Sequence, residues 1–79
     1  MKYKPGPNAI ACDEVMGCVV STTKLHPVYQ QTGLGAFETN ILGPDGEWGW
    51  KEFAKWTHNE ADARAAHAEG IEFVKRNIQ

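Results

Sequence analysis

Seventy-nine residues, 42% of them hydrophobic, make one domain, and a chain this short buries only about 60% of the surface its unfolded form exposes. Eight Lys and Arg against ten Asp and Glu leave a net charge of −2. The cations Lys2, Lys4, Lys24, Lys51, Lys55, Arg64, Lys75 and Arg76 are scattered rather than gathered into a stripe, which excludes direct nucleic-acid binding, and the carboxylate excess is too small for a nucleic-acid mimic.

Residues 1–14 read as an extended arm. Pro5, Gly6 and Pro7 forbid a regular ladder in its first half. The start has two lysines but no apolar stretch of signal-peptide type, and nowhere do about 18 apolar residues follow one another. The expectation is a cytoplasmic protein, off the membrane, with Cys12 and Cys18 reduced. Two cysteines without a second pair do not make a zinc framework, so no metal or cofactor is expected.

Residues 15–79 are expected to form the folded unit. The run "VMGCVVSTTKL" at 15–25 is rich in β-branched residues and reads as the first strand. Residues 26–35, "HPVYQQTGLG", form a loop longer than hairpin geometry requires. At its tip Tyr29, Gln30 and Gln31 combine a rigid aromatic ring with adaptable hydrogen-bonding groups, which suits recognition. The glycines Gly33 and Gly35 precede a strand and lack the lysine of a phosphate loop, so that reading is rejected.

"AFETNIL" at 36–42 alternates, with Phe37, Thr39 and Ile41 on one face, and gives the second strand. Gly43-Pro44-Asp45-Gly46 carries the residues of a tight turn, and 47–56 returns as the third strand. Trp48, Trp50, Ala54 and Trp56 share one parity of that strand; Lys51, Phe53 and Lys55 share the other.

From Thr57 onward the pattern is helical. Thr57 and Glu60 fit a capping box, Asp62 adds negative charge to the first turn, and Lys75 and Arg76 place positive charge in the last. Ala63, His67, Gly70, Ile71, Val74 and Ile78 form the apolar stripe that faces the sheet. Its middle is hollowed by small residues. Gly70 destabilises a helix interior by about 1 kcal/mol against Ala, which makes sense where a bulky ring approaches the helix axis. The tryptophan row is the expected occupant, leaving Lys51, Phe53 and Lys55 outside.

The expected fold is therefore α+β: a three-stranded antiparallel meander with one C-terminal helix packed on one face, βββα. No catalytic constellation is apparent. His67 on the apolar face reads as a packed histidine donating a ring N–H to a backbone carbonyl rather than a base, since nothing nearby in sequence supplies the other members of a triad. His26, His58 and His67 lack metal-ligand spacing. Glu38 and Glu52, on paired strands, read as solvated rather than as an acid/base pair.

"VVSTTKL" at 19–25, "AFETNIL" at 36–42, the D-G-E turn at 45–47 and "THNEADARAAH" at 57–67 together resemble a group of small uncharacterised bacteriophage accessory proteins, with V-S-T and F-E-T strands and a helix of T-x-x-E-A-x-A-R-A-x-H type. Thr23 and Lys24 depart from the apolar continuation of the first strand in that group, and Trp48 and Trp50 are not general to it. The resemblance implies an accessory protein that acts by stoichiometric binding, inhibiting a host defence complex such as a CRISPR effector. It implies no catalytic residue.

The partner is then a host protein or protein complex, met by Tyr29, Gln30 and Gln31 on the loop or by Lys51, Phe53 and Lys55 on the outer sheet face. Dimerisation would add burial, so a homodimer is compatible with the reading. The rival from another class is a homo-oligomeric nucleotide-binding protein, with Trp48, Trp50 or Tyr29 stacking on a base and Lys51, Lys55 or Arg64 holding phosphate.

Overall fold

Among the described residues four strands pair in the order in which the chain makes them, each antiparallel to the last, and a helix lies across them. A computed structural model describes residues 6–27, 35–43 and 53–77. The strands are Ala9–Val15 (β1), Cys18–Lys24 (β2), Phe37–Leu42 (β3) and Ala54–Thr57 (β4), with sheet order β1-β2-β3-β4; the helix α1 spans Glu60–Asn77 and touches every strand. The α+β class and the helix on one face of an antiparallel sheet are as the sequence predicts.

The meander has four strands, not three. The expected arm at 1–14 supplies β1 from Ala9 onward, and the expected strand at 15–25 is interrupted by a turn at Met16 and Gly17, after which Cys18 pairs back with Val15. That turn uses only two residues, short enough to be hidden inside a run of strand-forming side chains. β1 registers Asp13 on Val20 and Cys12 on Ser21, with an irregularity between Ala9 and Ala11. The expected turn at 43–46 and the strand segment at 47–52 lie outside the described residues apart from Gly43.

Strand alternation sorts the sheet into two faces. Val20, Thr22, Thr39 and Ile41 lie toward the helix and are fully buried, Val20 opposite Ile41 and Thr22 opposite Thr39. Cys18, Val20, Ile41, Phe53 and Val74 form the core, with Val15, Ile71 and Phe73 packed against it. Val19 and Ser21, on the other face of β2, are buried as well.

The helix buries Ala63, Ala66, His67, Gly70 and Val74, the expected stripe with Ala66 added. Its start differs by two residues from the expected capping box. Thr57 belongs to β4, where its carbonyl accepts the Ala36 N–H at 2.8 Å, and Asn59 is the cap: its Oδ1 accepts the Asp62 N–H at 2.8 Å while its Nδ2 donates to Asp62 Oδ2 at 3.0 Å. Sheet pairing claims Thr57 before helix capping can. Glu60 instead binds Arg64 Nε one turn on, at 2.9 Å.

The hollow at Gly70 exists, and among the described residues the ring against it is that of Phe53; of the expected occupants, Trp56 lies on the other face and Trp48 and Trp50 lie outside the described residues. A Cβ on Gly70 would stand 2.9 Å from Val20 Cγ1 and 3.2 Å from Phe53 Cε1. Phe53 also packs on Phe73, ring centroids 5.2 Å apart. Over residues 53–56, the described part of the expected last strand, the two parities separate with their faces exchanged: Phe53 and Lys55 face the helix, and Trp56 faces away.

Candidate functional site

Four of the six nominated partner residues, Tyr29, Gln30, Gln31 and Lys51, lie outside the described residues, as do Trp48 and Trp50. The other two are placed against expectation. Phe53 is 5% exposed in the core, not on an outer surface. Lys55 lies on the helix side, its Nζ 3.5 Å from Glu69 Oε1 and 5.8 Å from the centre of the Phe53 ring. The reason is geometric: β4 registers Lys55 on Thr39, a helix-facing residue, and Trp56 on Glu38.

Trp56 consequently stands on the face opposite the helix, 42% exposed, and with Met16 it is one of the exposed large hydrophobics among the described residues. Around it on that face are Glu38 directly opposite, with Ala54 and Asn40 next along the ladder. Asn40 Oδ1 is a buried acceptor without a hydrogen-bond partner among the described residues.

The chain's most chemically suggestive group is His67. It is 6% exposed, and both ring nitrogens are engaged: Nε2 lies 2.7 Å from Asp13 Oδ2 and Nδ1 lies 2.9 Å from Thr22 Oγ1, which in turn lies 2.8 Å from Thr39 Oγ1. A carboxylate only accepts, so Nε2 carries a proton; the Thr22 hydroxyl, which can donate and accept, pairs with Nδ1 on one side and with the Thr39 hydroxyl on the other. The backbone carbonyl expected as partner is replaced by side chains from β1 and β2, with β3 joined through Thr22. Asp13, Thr22 and Thr39 were hidden from sequence reading because they come from three different strands.

Acid, imidazole and hydroxyl in a row invite comparison with a hydrolytic triad, and the burial runs the wrong way. A triad buries the carboxylate and presents the hydroxyl to substrate. Here the Asp13 side chain is 57% exposed while Thr22 and Thr39 are fully buried. The hydroxyl end of the chain is sealed beneath the helix, and the arrangement ties helix to sheet.

Neither thiol is primed for attack. Burial first and the neighbouring Asp13 charge second raise the Cys12 thiol above its ordinary range, and burial raises Cys18. The two lie on opposite faces, Cys12 opposite Ser21 and Cys18 opposite Val15. Among the described residues no group of three or more His, Cys, Asp or Glu side chains could hold a metal ion. Of the cations nominated for phosphate, Lys55 is met by Glu69 and Arg64 by Glu60. Glu38 faces Thr23 and Trp56, and Glu52 lies outside the described residues. No described helix is long and apolar enough to cross a membrane.

No protein-family model matches the chain, and no curated protein or solved structure matches it at a significant level.

Proposed function

We propose that this protein acts by stoichiometric binding to another protein and carries out no covalent chemistry of its own. The observation that supports this reading is Trp56, an indole left 42% exposed on the sheet face that the helix does not cover. Tryptophan is the residue most enriched among interface anchors, because it buries a large rigid area and offers one N–H donor. The Asp13–His67–Thr22 chain, sealed at its hydroxyl end, gives the domain a structural use for His67.

The resemblance to phage accessory proteins narrows the partner to a host protein, with inhibition of a defence complex such as a CRISPR effector as the outcome of occluding a surface. Capture with the intact chain from a bacterial lysate tests the reading. One protein should be recovered in near-equal amount, and Trp56→Ala, with unchanged circular dichroism, should reduce that recovery at least about tenfold, the range of an interface anchor. Equal recovery by the variant would remove the observation on which the reading rests.

A further inference from the structure

The connection between β1 and β2 departs from local preference in two independent ways. Val15 pairs with Cys18, so Met16 and Gly17 alone make the turn, and both have positive φ, 49° and 85°. This is the two-residue hairpin turn of type I′, whose twist suits the strands and whose residues of choice are Asn-Gly or Gly-Gly. Gly17 fits. Met16 does not, because in the left-handed region its Cβ crowds the following carbonyl.

Strain of this kind is tolerable where burial of the side chain compensates, yet Met16 is 52% exposed, the most exposed of the large apolar side chains described. The monomer thus holds an unfavourable backbone conformation in order to present an apolar group to water. A residue that breaks a local rule while leaving half of an apolar side chain in water points to a gain outside the fold.

We infer that Met16 is an anchor of the partner interface: the hairpin tip inserts its thioether into an apolar pocket of the partner protein, with Glu14 at the rim meeting a partner Lys or Arg. The unbranched, polarizable side chain adapts to an irregular pocket, and a two-residue turn is rigid enough to lose little freedom on docking. Glu14 registers on Val19, on the sheet face away from the helix, is exposed, and has no ion-pair partner among the described residues. It therefore shares a face with Trp56. Register places Trp56 level with Thr23, about six residues of strand from the turn and two strands across from β2, roughly 22 Å at about 3.3 Å per residue and about 4.8 Å per strand, within the span of an ordinary protein interface.

The inference rests on the binding reading above and names where that binding is anchored. The test uses the full chain with the photoreactive substitution Met16→p-benzoylphenylalanine, and separately Trp56→p-benzoylphenylalanine, each irradiated in bacterial lysate, with the cross-linked partner peptide sequenced. The expected product at position 16 is one peptide, rich in apolar residues with a Lys or Arg close by. Unlabelled wild type should compete it away, and Met16→Asn should compete at least about tenfold less well.

The same Met16→Asn change relieves the turn, so it should raise Tm by about 4 °C or more while weakening binding. Opposite signs in one variant separate an anchor from an ordinary turn. Undiminished competition by Met16→Asn, a Tm that does not rise, or a cross-linked peptide without apolar character would overturn the inference. Capture at position 56 but not at 16 would overturn it and leave the binding reading standing; capture at neither would remove both.

Discussion

At the residue scale, His67 shows how one side chain can hold a small domain together. Its ring links Asp13 on β1 to Thr22 on β2, and through Thr22 to Thr39 on β3, all from the helix. Buried hydroxyls of this kind add modest stability when paired and carry a larger penalty when left alone. Thr22→Val keeps the shape but strands both His67 Nδ1 and the Thr39 hydroxyl, so it should lower unfolding stability by about 1–3 kcal/mol. Adding Thr39→Val removes one of the stranded groups, and the pair of changes should destabilise by clearly less than the sum of the two singles. Urea denaturation of the wild type, both singles and the double variant measures this coupling directly. Additive losses would mean that the two hydroxyls are not partners.

At the scale of elements, the helix was legible in the sequence because its signals are local and mutually consistent: acidic first turn, basic last turn, an apolar stripe broken by small residues. Even the hollow at Gly70 could be read, since a helix-interior glycine needs a reason. What fills it could not. Alternation in residues 53–57 separates Phe53 from Trp56, but parity alone does not say which set faces the helix; that is fixed by the register of β4 on β3, where Thr39 meets Lys55. Bulk pointed to tryptophan, yet among the described residues Val20 and Phe53 approach the missing Cβ most closely, at 2.9 and 3.2 Å. Gly70→Ala tests this. Helix propensity favours alanine by about 1 kcal/mol, while overpacking against a fully buried Val20 and an aromatic edge costs about 1–3 kcal/mol. The contact should win, lowering stability by about 1 kcal/mol, and Val20→Ala should make the alanine at position 70 better tolerated than it is in the wild-type background.

For the whole molecule, the strands differ in how firmly they are held. β2 and β3 are central, paired on both sides, and carry the fully buried Val19, Val20, Thr22, Thr39 and Ile41. Among the described residues β1 and β4 are edges with one neighbour each, and β1 is joined to the helix by the contact of the half-exposed Asp13 with His67. That the chain begins its sheet at Ala9 was the least legible feature of the fold, because a strand of mixed composition, AIACDEV, gains its regularity from the partner strand rather than from its own pattern. Local opening should follow the same order. Native-state hydrogen exchange is expected to show β2, β3 and the buried side of α1 opening only with global unfolding, and β1 opening through a smaller event. Asp13→Asn keeps an acceptor for His67 Nε2 but removes the charge from the hydrogen bond, which weakens it by roughly half. Protection in β1 should then fall several-fold while the slowest amides of β2 and β3 shift far less. A uniform loss across all four strands would show that the edge does not open by itself, and that the meander and its helix form one cooperative unit down to the first turn.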